Sequence, residues 1–326
     1  MNIQLKKKTS IIVGGSGQLG ICLANELIKK KNHVVITTRN INNSKKKINI
    51  KKKDIEIIKL DVLKVKHIEK IINKYKPESI FYFAGQSSPS LSYKKPKQTY
   101  LSNFIGCSNF LKVLKNHKNS CKFLNASSSE IFAKSNKKIN VNSKKKPISP
   151  YGKAKLLSFN LTRKFRKKYS LKTYNAVIFN TESFLRERNY LIPKICLSAI
   201  NAYKFKKKTS FGNLNIIREW NWCDEQVKYI LKFIEKKPQD FLLSNQKIYS
   251  AHQMLSFAFE YFKLDYKSFI FQDKKYLRPD DFKKKSSNSQ PYFKKNNIPH
   301  NYKIYGRKII NKIIKYYLNE SKHKFY

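Results

Sequence analysis

Short apolar runs alternate with helical patterns along the first 180 residues of this 326-residue chain. In the helical stretches the apolar residues recur every three or four positions, which predicts amphipathic helices. Strands that are separated by such helices form parallel sheets, because each helix carries the chain back across one face of the sheet. The predicted strands are residues 10–13, 33–38, 55–60, 79–83, 122–126 and 173–179, and the predicted helices are residues 18–31, 66–75, 98–117 and 151–169.

This pattern predicts an α/β fold, a Rossmann-type doubly wound parallel sheet. After Asn180 the regular alternation stops, and a helix near residues 192–203, short strand-like pieces and a terminal helix near residues 308–318 follow. We therefore expect a first domain over residues 1–180 and a smaller mixed α/β C-terminal lobe over residues 181–326, with some return of the chain to the first domain. Ligands of open parallel sheets bind at the carboxyl ends of the strands, so the chemistry is expected there.

The formal net charge of +50 comes from 70 basic and 20 acidic residues. Only eight of the basic residues are arginines, and the lysines form short runs along the whole chain, such as residues 6–8, 45–47, 144–146 and 283–285. This spread indicates a compositional bias instead of a nucleic-acid surface, because a charge run is usually a solvated face. Hydrophobic residues make up 40% of the chain, so we expect it to fold. We expect no nucleic-acid partner but a preference for anionic substrates.

The five cysteines lie far apart, without the paired spacing of a zinc site or a disulfide framework. Reduced thiols and no metal are therefore expected. The apolar stretch near the N-terminus is too short for a signal peptide, and no segment approaches the roughly 18 to 20 apolar residues of a membrane span. A soluble, cytoplasmic protein without membrane insertion is the expectation.

A glycine-rich turn directly follows the first predicted strand. Gly14, Gly17 and Gly20 open the first predicted helix, with Gln18 between them. A dinucleotide pyrophosphate fits such a turn, because it needs a close backbone, free amides and the positive end of a helix dipole. Glycines in a tight turn can also bind nothing, but the position within a β-α-β unit favours a cofactor site.

The ends of the next strands extend the predicted cofactor site. Arg39 ends the second strand, where an NAD enzyme usually has an acidic residue, and a guanidinium suits the 2′-phosphate of NADP. Arg39 could otherwise be one more surface cation. Asp61 and Val62 follow the third strand and are assigned to the adenine, although Asx turns are common after strands. Ala84 and Gln86 follow the fourth strand, where the chain must pass close to the cofactor.

A tyrosine and a lysine begin the helix that follows the fifth strand. Tyr151 and Lys155 share one helix face at i and i+4, and a nearby ammonium lowers the pKa of a phenol toward that of a useful base. Lys155 also reaches the nicotinamide ribose.

The fifth strand ends in Ser127, Ser128, Ser129 and Glu130. Ser128 can donate to a reacting oxygen and Glu130 can act as acid and base, although a serine-rich turn with a capping glutamate would look similar.

Together these motifs resemble the GDP-mannose 4,6-dehydratase family of extended short-chain dehydrogenases/reductases, over about residues 10–280. The family has a glycine-rich turn, Gln-Ser after the fourth strand, Thr-Ser-Glu after the fifth and Tyr-x-x-x-Lys, in this order. The second lobe agrees, since residues 178–183, 211–214, 218–220 and 276–279 resemble its Leu-Phe-Asn-His-Glu-Ser, Gly-Asn-Leu, Arg-Asp-Trp and Tyr-Phe-Arg-Pro. The matching residues that would hold the GDP-sugar are Ser87, Asn180, Glu182, Arg186, Asn189, Lys194, Asn213, Arg218 and Arg278.

The chain also departs from the family pattern, mostly in the loop that the resemblance assigns to the substrate, which we call the substrate loop (Thr181 and residues 184–188). Ser128 replaces a threonine and keeps its hydroxyl. In the second lobe, Thr181 replaces His, Phe184-Leu185 replaces Pro-Arg, Glu187 replaces Gly, and Asn221-Trp222 replaces Gly-His. These changes could reflect drift or a changed sugar.

The resemblance implies an NADP-dependent dehydratase that converts GDP-mannose to its 4-keto-6-deoxy form and assembles as a homodimer or homotetramer. Catalysis would rest on Ser128, Glu130, Tyr151 and Lys155. An epimerase or 4-keto-sugar reductase on the same scaffold is the nearest alternative. A catalytically inactive NADP-binding or RNA-binding protein is an alternative from a different class.

Overall fold

A computed structural model describes residues 7–42, 44, 55–117, 121–273 and 283–322. The chain forms two compact units. The first consists of residues 1–133, 141–178 and 227–243, and the second of residues 134–140, 179–226 and 244–326. Each unit is therefore assembled from more than one stretch of the chain.

The strands are β1 (Thr9–Val13), β2 (His33–Thr38), β3 (Ile55–Lys59), β4 (Ser79–Tyr82), β5 (Lys122–Ser128), β6 (Thr173–Ile178), β7 (Thr181–Glu182), β8 (Thr209–Phe211), β9 (Ile217–Glu219), β10 (Asn221–Trp222), β11 (Asp240–Leu243), β12 (Ile248–Ser250) and β13 (Ile270–Gln272). The α-helices are α1 (Gln18–Lys29), α2 (Val65–Tyr75), α3 (Pro89–Lys94), α4 (Pro96–Tyr100), α5 (Gly106–Asn116), α6 (Pro150–Tyr169), α7 (Leu191–Phe205), α8 (Cys223–Phe233), α9 (Ala251–Glu260), α10 (Gln290–Lys295) and α11 (Arg307–Lys322). Short 3₁₀ turns lie at Ser129–Ile131 and Tyr266–Ser268.

A seven-stranded sheet forms the centre of the first unit, in the order β11-β6-β5-β4-β1-β2-β3. Every neighbouring pair is parallel. Apolar residues such as Ile11, Val35 and Phe123 are fully buried, as expected for strands that are covered on both faces. The predicted doubly wound Rossmann-type fold is confirmed. The strand order reverses between β1 and β4, which is where such folds bind their ligands.

The predicted helix over residues 98–117 is not one regular helix. It begins as α4 and ends as α5, and a π-helical turn over Leu101–Ile105 lies between them. Such turns insert an extra residue into the helical repeat and are frequent at functional sites. The turn places Asn103 in the protein interior, where it is 1% exposed.

The second unit contains three two-stranded pieces, β7 with β10, β9 with β12 and β8 with β13. Its apolar core joins α7, α9 and α11 through residues such as Ile195, Leu255 and Ile313. Over the described part of the chain, no helix is long and apolar enough to cross a membrane.

Candidate active site

The glycine-rich turn connects β1 to α1, and its glycines differ in what surrounds them. Gly14 has a φ of +76°, and a Cβ there would lie 2.6 Å from the Cα of Ala84. Gly20 packs equally closely on Gly15. A Cβ at Gly17 would instead lie 3.8 Å from the carbonyl oxygen of Gly14. Gly17 is also the N-cap of α1 and offers no capping side chain, so this open space at a helix N-terminus fits a pyrophosphate.

The ends of β2 and β3 carry the residues expected around the adenosine half of a cofactor. Arg39 is exposed directly after β2. Asp61 uses one carboxylate oxygen to accept from the amide of Leu63 at 3.0 Å, so the Asx turn that the sequence left open is present. The carbonyl of Val62 accepts from the buried Asn109 side chain at 3.0 Å, which ties this turn to α5.

Three buried polar side chains have an oxygen without a hydrogen-bond partner among the described residues. Gln86 follows β4, Asn103 lies in the π-helical turn, and Ser127 lies near the end of β5. The amide of Asn103 donates to the carbonyl of Gln86 at 3.1 Å. The oxygens Oδ1 of Asn103, Oε1 of Gln86 and Oγ of Ser127 are buried without a partner among the described residues. Buried polar atoms are costly when they stay unpaired, so these atoms suit a polar ligand. Asn103 was not predicted from the sequence, where its only signal is an amide within an apolar helical pattern.

Helix α6 carries the predicted tyrosine and lysine at its start. Ser149 caps it by accepting from the amide of Gly152 at 3.0 Å, and Pro150 occupies the first turn. Tyr151 and Lys155 are both buried. The Nζ atom of Lys155 donates to the carbonyl of Ala126 at 2.8 Å and lies 5.8 Å from the centre of the Tyr151 ring. Burial lowers the pKa of Lys155 to about 8.

The end of β5 meets the start of this helix. Ser128 accepts from the amide of Glu130 at 3.2 Å and so caps the 3₁₀ turn, while Glu130 remains half-buried. A Cβ at Gly152 would lie 2.5 Å from the carbonyl oxygen of Glu130, so the absent side chain allows the two segments to touch. The structure thereby brings Ser128, Glu130, Tyr151 and Lys155 into one corner of the first unit.

The second unit holds a buried carboxyl among the residues expected to bind substrate. Glu182 is 3% exposed and its Oε2 has no partner among the described residues. Burial raises the pKa of Glu182 to about 7, although the charge of Arg186 acts in the opposite direction. The guanidinium of Arg186 lies 3.6 Å from the centre of the Tyr190 ring.

A basic pocket lies between α7 and the pair β8 and β13. Its charged residues include Arg188, Lys194, Lys207 and Lys208, and Phe271 supplies an apolar wall. The Nζ atom of Lys194 donates to the carbonyl of Ser210 at 2.6 Å. This combination of cations and an aromatic ring suits a phosphorylated ligand with a planar base.

The remaining predicted substrate residues are more scattered. Asn189 and Ser87 are exposed. Asn180 accepts through its carbonyl from Asn221, and Asn213 caps its own turn by accepting from the amide of Asn215 at 2.9 Å. Arg218 is 6% exposed and donates to the carbonyls of Ile217 and Lys283. Arg278 lies outside the described residues.

Two of the residues that depart from the family pattern contact each other. Phe184 packs edge-on against Trp222, with ring centres 4.9 Å apart, and stacks on Tyr316 of α11 at 4.7 Å. A third departure, Thr181, donates to the side chain of Gln226 at 2.6 Å. The altered residues are therefore integrated into the packing of the second unit.

The model of the GDP-mannose 4,6 dehydratase family matches residues 11–311, which is nearly the whole chain. The chain belongs to this family. It is 26% identical to GDP-mannose 4,6 dehydratase 2 of Arabidopsis thaliana over 298 residues, 84% of this chain and 77% of the relative. It is 28% identical to GDP-mannose 4,6 dehydratase of Cricetulus griseus over 270 residues, 78% of this chain and 72% of the relative.

The fold also resembles solved structures of other nucleotide-sugar enzymes. A dTDP-glucose 4,6-dehydratase of Bacillus anthracis, solved in complex with NAD, superposes with a TM-score of 0.82 at 16% identity, over 97% of this chain and 98% of that one. At this identity the likeness concerns the fold alone. Within the described residues, no group of three or more His, Cys, Asp or Glu side chains could hold a metal ion.

Proposed function

We propose that this chain is a lyase that removes water from GDP-mannose to give GDP-4-keto-6-deoxymannose, with NADP as a recycled hydride carrier. The observation that carries the proposal is the corner formed by Ser128, Glu130, Tyr151 and Lys155 in a member of this family. Tyr151 and Lys155 alone are compatible with any short-chain dehydrogenase. Glu130 adds the acid and base that a dehydration needs.

Several features of the first unit support NADP as the cofactor. The open space at Gly17 would accommodate the pyrophosphate, with Gln18 and Gly20 beside it and Gly14 and Ala84 closing the strand ends. Arg39 would pair with the 2′-phosphate, and Asp61 and Val62 would border the adenine. Gln86, Tyr151 and Lys155 would flank the nicotinamide ribose. When bound, NADP supplies an acceptor that takes a hydride from the sugar and later gives it back, so no net oxidation occurs.

In the first half of the reaction, Tyr151 acts as the base. Its phenolate oxygen takes the proton of the sugar C4 hydroxyl while Ser128 donates a hydrogen bond to the same oxygen. The ammonium of Lys155 is held by the carbonyl of Ala126 and stabilises the phenolate. Burial lowers the pKa of Lys155 to about 8, whereas the hydrogen bond to the carbonyl of Ala126 favours its charged form.

In the second half, the C4 ketone acidifies the hydrogen at C5. Glu130 removes that proton and passes it to the departing C6 hydroxyl, which leaves as water. Tyr151, which holds the proton from the C4 hydroxyl, returns it to C5 when C6 is reduced. Each proton therefore has a donor and an acceptor within the corner, and the net change is the loss of one water.

The second unit supports a GDP-sugar as the substrate. The basic pocket supplies Lys194, Arg188, Lys207 and Lys208 for phosphate oxygens, and Phe271 for a stacked base. The predicted substrate residues Asn180, Glu182, Arg186, Asn189, Asn213 and Arg218 lie in this unit, and Ser87 lies in the first unit. We propose that these residues, together with Arg278, contact the GDP-sugar.

The test is to incubate the purified protein with GDP-mannose and NADP and to follow the product by mass spectrometry. We expect a product lighter by one water, without net change in the absorbance of NADPH. Glu130→Gln should abolish dehydration, and Tyr151→Phe should also abolish it. Dehydration that survives in Glu130→Gln but not in Tyr151→Phe would contradict the role of Glu130.

The same experiment separates the alternatives. A product of unchanged mass but altered stereochemistry would indicate an epimerase, and stoichiometric consumption of NADPH with a 4-keto sugar would indicate a reductase. Binding of NADP without turnover would indicate an inactive cofactor-binding protein. RNA binding with a steep salt dependence would indicate the remaining alternative.

A further inference from the structure

Lys145 differs from its neighbours in the lysine run 144–146. Lys144 and Lys146 are exposed, whereas Lys145 is half-buried. Its Nζ atom donates to the carbonyl oxygens of Val141 at 2.6 Å and Ser143 at 3.3 Å. The ammonium thereby closes the loop that leads into Ser149, the cap of α6.

Two buried aromatic rings face the same ammonium. Nζ of Lys145 lies 5.4 Å from the ring centres of both Phe132 and Phe159, within the range of cation–π attraction. Phe132 is 1% exposed and Phe159 is fully buried. The ammonium of Lys145 therefore contacts two aromatic rings that are 27 positions apart in sequence.

Both rings belong to segments that carry the proposed catalytic groups. Phe132 directly follows the 3₁₀ turn Ser129–Ile131, which contains Glu130. Phe159 lies on α6 four residues after Lys155 and eight after Tyr151, so the three side chains form one stripe along the helix. Gly152 lets these segments touch at the catalytic corner, and Lys145 contacts both of them from the loop between.

From this geometry we infer that Lys145 is a positioning residue, which fixes the segment of Glu130 relative to the helix of Tyr151 and Lys155. The catalytic consequence of this inference rests on the proposed dehydratase function, while the structural part does not. Proton transfer depends steeply on geometry, and a shift of about 1 Å can cost about a hundredfold in rate.

The groups around Lys145 indicate that its ammonium is held by the protein and is not simply surrounded by water. Burial lowers its pKa, the charge of Arg163 lowers it further, and the carboxylate of Asp240 acts in the opposite direction. Desolvating an ammonium is unfavourable unless other groups replace the water. The two carbonyls and two rings are that replacement.

The test compares Lys145→Met with Lys144→Met and Lys146→Met, each of which removes one charge from the same run. Methionine keeps the unbranched stem and its contact with the rings, so the variant should fold. Lys145→Arg retains the cation and should behave more like the wild type than Lys145→Met. Thermal unfolding of all four variants verifies that they are folded.

The first measurement is amide hydrogen exchange, which needs no substrate. The amide of Ala133 donates to the carbonyl of Lys144 at 2.9 Å, and that of Gly152 to Ser149. We expect exchange over residues 130–152 to rise about tenfold in Lys145→Met and to stay unchanged in Lys144→Met and Lys146→Met. Equal exchange in the three variants would overturn the inference.

The second measurement is turnover of GDP-mannose. For Lys145→Met we expect kcat to fall by about 10- to 100-fold, with KM and the Kd of NADP within about twofold of the wild type. A merely structural loss would lower the fraction of active protein or the cofactor affinity instead, and would contradict positioning. So would a kcat that equals that of Lys144→Met.

The two measurements distinguish failure of the proposed dehydratase function from failure of the role proposed for Lys145. If the wild type binds NADP but does not dehydrate GDP-mannose, and exchange still rises only in Lys145→Met, then the dehydratase proposal fails and the structural role of Lys145 stands. If the wild type is active and exchange is the same in all variants, the role of Lys145 fails while the activity stands.

Discussion

The proposed preference for NADP over NAD rests on one side chain, Arg39. It is exposed directly after β2, where a 2′-phosphate would lie beside the ribose. We expect Arg39→Gln to weaken NADP binding by about tenfold or more and to leave NAD binding nearly unchanged, because only NADP offers a phosphate for a bidentate pair. Fluorescence titration with both cofactors measures this. Lys30→Gln, which removes an exposed charge near the end of α1, is the control, and an equal loss for both cofactors would refute the assignment.

Titration of the buried Glu182 should make the free energy of unfolding depend on pH between about 4.5 and 7. Its pKa is raised from 4.5 to about 7 because the folded protein buries the carboxyl, so between these values the folded state binds more protons than the unfolded state. Stability contributed by the neutral carboxyl is fully present below pH 4.5 and is lost as the pH rises to about 7. Relative to Glu182→Gln, the wild type should therefore lose roughly 1 to 3 kcal/mol across this window. Urea unfolding of both proteins at pH 5, 6, 7 and 8 tests this, and parallel stability curves would contradict it.

At the scale of elements, the substrate loop and α11 are joined by aromatic packing. Phe184 stacks on Tyr316 with ring centres 4.7 Å apart, and Arg188 in the same loop pairs with Glu320 at 3.0 Å. We expect a double-mutant cycle of Phe184→Ala and Tyr316→Ala to give a coupling of about 0.5 to 1.5 kcal/mol in unfolding. Because this loop carries the proposed substrate residue Arg186 and leads into Asn189, each variant should also raise the KM for GDP-mannose, by about two- to tenfold.

The matched control for that cycle is the pair of Tyr203 and Phe262, which stack at 4.8 Å in the same unit. Phe262→Ala should lower stability without a change in KM. A KM that rises equally in Phe262→Ala would mean that the effect is general loosening of the unit. A KM that stays at the wild-type value in Phe184→Ala would mean that the loop does not position substrate.

Elements were predictable from the sequence where the pattern was long and local. The six strands β1 to β6 and the helices α1, α2, α5 and α6 follow from periodicity, with ends that differ by a few residues. The short helix α3 was not predicted. The strand β11 was missed, because its four residues come after the alternation has stopped and join the sheet only by pairing with β6. The π-helical turn was missed as well, since its extra residue leaves almost the same apolar spacing as a regular helix.

Within the candidate site, the residues of local motifs were predictable, whereas those whose contacts form only on folding were not. Gly14 to Gly20 and Tyr151 to Lys155 form motifs within a few consecutive positions, so the sequence displays them. Asn103 and Lys145 acquire their surroundings only through folding, because their partners include Gln86, 17 positions away, and Phe132, 13 positions away. In a chain with 70 basic residues, no local signal distinguishes Lys145 from its neighbours.

At the scale of the whole molecule, a net charge of +50 should attract the anionic substrate over distances beyond direct contact. Salt shortens that range, since the Debye length is about 30 Å at 0.01 M and about 8 Å at 0.15 M. We expect kcat/KM for GDP-mannose to fall by about tenfold or more between these ionic strengths, while kcat at saturation changes little because steering acts on encounter. Steady-state kinetics over a sodium chloride series measures both. If kcat/KM does not change with salt, the lysines contribute nothing to substrate capture, and their number reflects composition alone.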